Sequence, residues 1–149
     1  MHQDIGLKLS RVPRLWRAIL DERLAPLELT QTRWVTLYHL SKMGDGQPQC
    51  DLARSIGVEA PSLVRTLDQL TEQGLIERRP SDEDRRTKRV YLTAKATPLL
   101  KKIETVVEQA RVEMLEGASD EDVDKLDAIL SCIERNGQRL QSRGPCDDE

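Results

Sequence analysis

Aromatic residues and long apolar runs are scarce in this 149-residue chain. Phenylalanine is absent, and only two tryptophans and two tyrosines occur. Any core must therefore be built mainly from Leu, Ile, Val and Ala. No stretch approaches the roughly 20 apolar residues that span a bilayer, and residues Met1 to Gly6 lack the features of an export signal. We expect a cytoplasmic protein with no membrane partner.

Residues suited to catalysis or metal binding are also few. His2 and His39 are the only histidines, and there is no glycine-rich phosphate loop. No carboxylate pair and no cluster of His, Cys and Asp has a spacing that would assemble a site. The sequence thus predicts no catalytic residues, no metal site and no cofactor, which argues against an enzyme.

The three cysteines are Cys50, Cys132 and Cys146, an odd number without a C-x-x-C spacing. In a reducing compartment we expect them to remain thiols. Cys50 lies beside the short helices predicted below, so a thiol-based redox-sensing regulator remains an alternative.

Charge is distributed unevenly along the chain, although the net charge is only -3. Eight cations accompany seven anions between Arg54 and Arg89, whereas thirteen anions accompany five cations from Glu104 to Glu149. The acidity is concentrated in the C-terminal third. A polyanionic partner is therefore compatible with the middle of the chain.

Long helical patterns occur at both ends. Apolar residues recur at helical spacing from about Ile5 to Leu24, despite Pro13, from about Ala94 to Leu115, and from Ser119 to Leu140. Ser119 and Asp122 predict a capping box, and Thr93 is expected to cap the helix that begins at about Ala94. The apolar surface of these helices is larger than a module of about 60 residues can cover. We therefore expect these helices to form a homodimer; a monomer with the helices folded onto the module is the alternative.

Shorter helices are predicted in the middle of the chain. One runs from an N-cap at Thr30 to about Lys42, and a turn follows. Two more, Gln49 to Ile56 and about Ala60 to Gln73, are separated by a tight turn that begins at Gly57. This order is typical of a helix-turn-helix.

The second helix of this pair has distinct faces. Leu63, Leu67 and Leu70 are expected to point inward. The outward face or its flank then carries side chains that hydrogen-bond base edges and phosphates. These candidate DNA-binding residues are Ser62, Arg65, Thr66 and Gln69.

A charged hairpin follows directly. The strands Leu75 to Arg79 and Lys88 to Leu92 flank a tip marked by Pro80. Cations packed this densely repel one another unless an anion comes between them, and DNA phosphate is the obvious anion. A solvated tip balanced by acidic residues is the alternative reading. The cations at the tip are Arg85, Arg86, Lys88 and Arg89, and the acids are Asp82, Glu83 and Asp84.

The pattern predicts a mostly α (α+β) fold, a winged helix-turn-helix with N- and C-terminal dimerisation helices. We interpret residues 1–149 as a single domain. The winged lobe occupies about 30–93, the dimerisation helices about 5–24 and 94–140, and a disordered tail 142–149.

Several segments resemble the MarR family of winged-helix transcriptional regulators, and its SlyA branch in particular. The segments are Leu29-Thr30-Gln31-Thr32-Arg33-Trp34-Val35-Thr36-Leu37, Pro61-Ser62-Leu63-Val64-Arg65-Thr66-Leu67-Asp68-Gln69-Leu70, Gly74-Leu75-Ile76 and Asp84-Arg85-Arg86-Thr87-Lys88-Arg89. The resemblance runs from about Ile5 to Leu140.

The resemblance implies a nucleoid-associated homodimer on double-stranded DNA, an activator or a repressor, with recognition helices in successive major grooves of a near-palindromic operator. It implies that Arg65 and Arg86 are the arginines on which DNA binding depends, and that Asp84 orients a neighbouring arginine. Members of the family commonly bind aromatic carboxylates such as salicylate, and Arg14 and Trp34 match positions that line that cleft. We add His39 to this candidate ligand site. A winged-helix protein-interaction module is the alternative function; it would place apolar residues on the wing.

Overall fold

The computed structural model describes residues 2–141, and within them the chain is mostly helical with one small sheet, which confirms the predicted fold class. The predicted disordered tail lies outside the described residues. The elements are α1 Ile5–Leu24, a 3-10 turn Ala25–Leu27, α2 Gln31–Met43, β1 Gln47–Pro48, α3 Gln49–Ile56, α4 Ala60–Glu72, β2 Ile76–Pro80, β3 Lys88–Leu92, α5 Ala96–Met114 and α6 Asp120–Leu140.

Helix α1 runs unbroken through Pro13. A proline lacks the backbone donor of one helical hydrogen bond, but the helix tolerates that loss here. The chain then turns at Glu28, whose φ of 58° is the only positive value for a non-glycine in the described chain. Thr30 follows in an extended conformation and begins α2, as expected, although its side chain makes no capping hydrogen bond.

The sheet has the order β1-β3-β2, and both pairings are antiparallel. Gln47 pairs with Val90, and Arg79 pairs with Arg89. The sequence did not predict β1, because a two-residue strand carries no periodic pattern and exists only through its pairing with β3. This third strand ties the base of the wing to the start of α3.

The start of α5 differs from the expectation. Thr93 does not cap the helix with its side chain; its hydroxyl donates to the Gly74 carbonyl at 2.6 Å. The helix begins at Ala96, whose amide donates to the Thr93 carbonyl at 3.1 Å. Thr93 thus joins the end of the wing to the turn after α4.

Buried apolar side chains form one cluster that draws on every helix except α6 within the described residues. Its largest fully buried members are Leu24, Leu37, Leu40, Leu52, Leu63, Leu67, Leu70, Ile76, Val90 and Ile103. As predicted, the core is aliphatic, and Trp34 is its one buried aromatic ring among the described residues.

Helix α6 has a well-capped N-terminus, but its side chains are poorly buried. The predicted capping box is confirmed: the Ser119 hydroxyl accepts from the Asp122 amide, and the Asp122 carboxylate accepts from the Ser119 amide, both at 3.1 Å. None of its residues is buried in the single chain. In the described chain, no helix combines the length and apolar content needed to cross a membrane.

Large apolar side chains remain exposed on both terminal helices. On α1 they are Ile5, Leu7, Leu9, Val12 and Leu15, and on α6 they are Leu126, Ile129, Leu130, Ile133 and Leu140. Exposed apolar stripes of this kind are typical of an interaction surface.

Candidate nucleic-acid interface

A tight corner positions α4 against α3. Gly57 ends α3 with a φ of 83°, a left-handed conformation that suits glycine. The amides of Gly57 and Val58 both donate to the Ala53 carbonyl, at 2.9 and 3.1 Å. Leu52 and Leu63 are buried on the two helices. The predicted helix-turn-helix is therefore formed.

Helix α4 presents one apolar and one polar face. Leu63, Leu67 and Leu70 are buried as predicted, while Arg65 and Gln69 are exposed. Ser62 is half-buried at the flank of the exposed face. These polar residues follow a spacing of three and four residues, which puts them in one row on the helix.

The expectation that Thr66 lies on the outer face or its flank is wrong. Thr66 is only 6% exposed, and its hydroxyl donates to the Ser62 carbonyl at 3.3 Å. A threonine satisfies its hydroxyl within a helix in this way when water is excluded. Its buried side chain lacks the exposure required for contact with a base.

Gln69 has a partner on another helix. The Nε of Arg33, in α2, donates to the Gln69 Oε1 at 3.1 Å. Arg33 is half-buried between the elements, whereas Gln69 is exposed. This contact fixes which way the Gln69 amide faces.

The wing is attached to α4 by an ion pair. Arg78 of β2 donates from Nη2 to Oδ1 of Asp68 at 2.6 Å, and the Arg78 side chain is 25% exposed. The pair places the wing strands beside the exposed face of α4. It also places a cation against an acidic residue on that face.

The base of the wing is held by Arg89. Its Nε donates to the Ser81 hydroxyl at 3.1 Å, and its Nη1 donates to the Gly46 carbonyl at 2.7 Å. Ser81 is buried. Of the four cations predicted at the wing, Arg89 is therefore turned into the protein and fixes the hairpin.

The wing tip is organised by Asp84. Its Oδ1 accepts from the Arg86 amide at 3.0 Å and lies 3.5 Å from the Arg86 Nε. The hydrogen bond from the Arg86 backbone, and then the nearby guanidinium charge, lower the pKa of Asp84. The Arg86 side chain remains 88% exposed. Asp84 therefore contacts Arg86 of the wing; that this contact orients Arg86 for DNA stays a prediction.

Three further cations on this surface lack an internal counter-ion. Arg65, Arg85 and Lys88 are exposed, and none forms an ion pair with another described residue. Together with Arg86 they form the cationic surface of α4 and the wing. Such groups are available to bind an anion.

The candidate ligand residues Arg14 and Trp34 do not form a pair. Arg14 is exposed on α1 and donates from Nε to the Ser10 carbonyl at 3.3 Å. Trp34 is 4% exposed, and its indole donates to the Asp21 carboxylate at 2.8 Å. Arg14 precedes Asp21 by two helical turns, about 10 Å along the axis. The guanidinium and the indole therefore have separate partners.

His39 lies where α1, α2 and α3 meet. Its Nδ1 is 3.2 Å from the Ser55 hydroxyl of α3. Burial, and then the charge of Arg17, lower the pKa of His39 below its usual 6.5. The cation that acts on His39 is thus Arg17, one helical turn beyond Arg14.

Cys50 is half-buried at the start of α3, and its thiol lies 3.7 Å from the Asp51 carboxylate. A carboxylate is the opposite of the cationic surroundings that activate redox thiols. This contact does not favour the redox alternative.

Comparison with known proteins connects this geometry to a family. The sequence model of the MarR family matches residues 29–88, which span α2, the helix-turn-helix and most of the wing. A transcriptional regulator named PA3341 is 40% identical to this chain; the match covers 91% of this chain and 98% of that one, with a TM-score of 0.85. The chain belongs to the MarR family. This confirms the family resemblance.

Two further solved proteins have the same fold. CouR from Rhodococcus jostii RHA1, in a structure with p-coumaroyl-CoA, is 26% identical over 88% of this chain and 91% of that one, with a TM-score of 0.77. A mutant of MarR from E. coli, in complex with operator DNA, is 23% identical over 88% of this chain and 94% of that one, with a TM-score of 0.74. The latter similarity establishes the fold alone.

Three side-chain contacts at the candidate interface of this MarR-family chain were not predicted from the sequence. Arg33 lies 36 residues from Gln69, and Arg89 lies 43 residues from Gly46. The third contact is the ion pair between Arg78 and Asp68, and their spacing of ten residues was the one signal in the sequence.

Proposed function

We propose that this MarR-family chain is a sequence-specific DNA-binding regulator that acts as a homodimer on near-palindromic operators. The observation that supports this most is the cationic surface of α4 and the wing. Arg65, Arg85 and Lys88 are exposed on it without a counter-ion among the described residues, while Arg86 is held at the tip by Asp84. A duplex supplies the anions that this surface lacks.

The two parts of this surface suit different grooves. The exposed row of α4, from Ser62 through Arg65 to Gln69, has the size and donors needed to read base edges in a major groove. Arg86, on a narrow hairpin tip, suits insertion into a minor groove. Thr66 is not part of this proposal, because its side chain is buried.

Dimerisation is proposed from the exposed apolar stripes of α1 and α6. The helix α6 buries no residue in the single chain, yet it is 21 residues long. Packing of an apolar face supplies most of the stability of a helix in a protein, so an uncovered α6 would be marginal. A second copy provides matching stripes, and two-fold symmetry would then place two α4 helices on half-sites about one helical turn apart.

An aromatic carboxylate is proposed as a modulator. The complex of CouR with p-coumaroyl-CoA gives a precedent for a ligand with an aromatic group in this family. In this chain the Nη groups of Arg14 are available for a carboxylate, whereas Trp34 can contact a ligand only if the side chains that cover it move. His39 lies on the same helix as Trp34.

Membership of the SlyA branch stays a prediction from the four sequence segments quoted above. The protein-interaction alternative is not favoured, because the wing tip is cationic and carries no large apolar side chain between Asp82 and Arg89.

The proposal is tested by footprinting the protein on genomic DNA and titrating variants onto the operator found. Arg65→Ala and Arg86→Ala each remove a base contact from both protomers, so each should cost about 2 kcal/mol or more, a loss of about 30-fold in affinity. Arg111→Ala, an exposed arginine of α5, is the matched control and should leave affinity unchanged. Equal affinities for all four proteins would exclude the cationic surface as the DNA interface.

For the modulator, operator affinity is measured with and without millimolar salicylate. We expect weaker binding with salicylate for the wild type and a smaller effect for Arg14→Met. An identical salicylate effect in both would place the ligand elsewhere, and no effect in the wild type would remove salicylate from the proposal.

A further inference from the structure

The exposed apolar stripes of α1 and α6 can be paired in three ways between two copies of the chain. Helix α1 can pack on α1, α6 on α6, or α1 of one copy on α6 of the other. Helix α6 buries none of its residues, and no other element of the described chain packs along its length. The charges that border the two stripes distinguish these pairings.

Helix α1 is cationic over most of its length. Between Ile5 and Leu20 it carries four exposed cations and no acid. Lys8 lies four residues before Val12, and Arg11 lies four residues before Leu15, a spacing that makes side chains neighbours on a helix surface. Val12 and Leu15 are both exposed. Lys8 and Arg11, here called the basic row, therefore border the apolar stripe of α1.

Helix α6 carries the opposite charge. Its residues 120–134 contain six acids and one cation. Asp127 lies three residues before the exposed Leu130, and Glu134 lies four residues after it. The two carboxylates are seven residues, or about two turns, apart, which puts them on the same side of the stripe. Asp127 and Glu134, here called the acidic row, therefore border the apolar stripe of α6.

Neither row has a counter-ion within the described chain. Its four side chains are exposed, and none forms an ion pair with another described residue. Helix α5, the third terminal helix, is balanced, with three cations and three acids between Ala96 and Met114. The terminal helix whose charge complements α6 is therefore α1. The α1 helix of the same chain packs on α5 and not along α6, so the complementary helix must come from another copy.

Pairing like helices would bring like charges together. Packing α1 on α1 would place two basic rows beside one apolar contact, and packing α6 on α6 would do the same with two acidic rows. Like charges brought together across an interface disfavour that pairing. Packing α1 on α6 instead brings cations to acids, and two-fold symmetry forms this contact twice in one dimer.

We infer that α1 of one protomer packs along α6 of the other, and that the basic and acidic rows select this partner. The inference rests on the proposed homodimer and specifies its helix pairing. The apolar stripes supply most of the binding energy, because each exposed ion pair contributes little. The charges determine which chain is accepted, namely a second copy of this chain.

The experiment reverses one row at a time in the full chain and measures the dimer dissociation constant by sedimentation equilibrium. Lys8→Glu/Arg11→Glu and Asp127→Lys/Glu134→Lys each replace attraction by repulsion at both contacts. Each should therefore weaken the dimer by about 10-fold or more at low salt. The effect should shrink in about 1 M salt, where the screening length falls to about 3 Å.

Arg85→Glu/Lys88→Glu is the matched control. It makes the same change of net charge as the reversal of the basic row, but on the exposed surface of the wing. It should leave the dimer dissociation constant unchanged.

Mixing the two reversed chains sharpens the test. In a mixed dimer, the reversed α1 of one chain meets the reversed α6 of the other, and the two unchanged helices meet each other. Both contacts are then attractive, so native mass spectrometry of an equal mixture should show mixed dimers well above the share expected from random pairing. A chain that carries all four substitutions should dimerise as tightly as the wild type.

Failures of the inference and of the proposed function are distinguishable. If the wild type is a monomer at every concentration, the proposed homodimer fails first. If the wild type is a dimer, but both reversals bind as tightly as the control and the mixture pairs at random, the inference is wrong and the homodimer stands. If a reversed chain does not fold alone, the chain with all four substitutions decides: a stable dimer supports the pairing, and its failure to dimerise overturns it.

Discussion

Helices α4 and α6 use their apolar side chains in opposite ways. Helix α4 of the lobe buries four residues within its own chain, and its exposed face is polar. Helix α6 buries none, and its apolar stripe faces outward. The apolar face of α4 is therefore covered within one chain, whereas that of α6 is not, and we propose that a second copy covers it. The stability of α4 then comes from the core of its own chain, whereas that of α6 would come from assembly.

The largest effect should come from a charge in the stripe of α6. Leu126→Glu would bury an unpaired carboxylate in the proposed dimer interface, at a cost of several kcal/mol. Sedimentation should show a monomer or an unfolded chain. Ala128→Glu, about 200° around the same helix, is the matched control and should remain a dimer.

If Leu126→Glu remained a dimer as stable as Ala128→Glu, the interface would lie elsewhere, and the contrast between α4 and α6 would lose its basis.

Within the lobe, substitutions on the two faces of α4 should have separate consequences. Leu67 is fully buried, so Leu67→Ala should lower the free energy of unfolding by about 2–5 kcal/mol. Arg65→Ala, on the exposed face, should change stability by less than about 0.5 kcal/mol while it weakens DNA binding. Urea unfolding of both variants checks this, and a reversed order would contradict the assignment of the faces.

A smaller effect is expected at His39 of α2, which contacts Ser55 of α3 and is acted on by the charge of Arg17 of α1. Because the pKa of His39 is lowered in the folded chain, the unfolded chain binds a proton first as the pH falls. Stability should therefore be lost as the pH falls through about 6.5, the unfolded value, toward the lowered folded pKa. His39→Gln should lose less Tm between pH 7.5 and pH 5.5 than the wild type does. Equal losses of Tm in both proteins would exclude His39 as a source of the pH dependence.

Features of the fold that depend on local interactions could be predicted from the sequence, and features that depend on contacts between distant residues could not. The bounds of α1 and α3 agree with the structure because apolar spacing, and for α3 the Gly57 end signal, are local. The two-residue strand β1 was missed because only its pairing with β3 forms it. The orientation of Thr66 was predicted wrongly because it lies at the edge between the two faces of α4. At such an edge, packing against a neighbouring element determines whether a side chain is buried.

Side-chain partners across elements were the least predictable part of the candidate site. The aspartate that contacts Arg86 lies two residues away, so a local motif indicated it. The partner of Gln69 is 36 residues away on another helix. The separation of Arg14 from Trp34 likewise depends on how α1 packs on α2, which the spacing of apolar residues does not determine.

The central claim is that α4 and the wing bind DNA phosphates and bases from both protomers. It is tested most directly by measuring operator affinity against salt concentration for the wild type and for Arg85→Ala/Lys88→Ala. Each phosphate contact contributes about 0.9 to the logarithmic slope, so losing two cations from each of two protomers should reduce the slope by about four. Parallel lines for the two proteins would contradict the account.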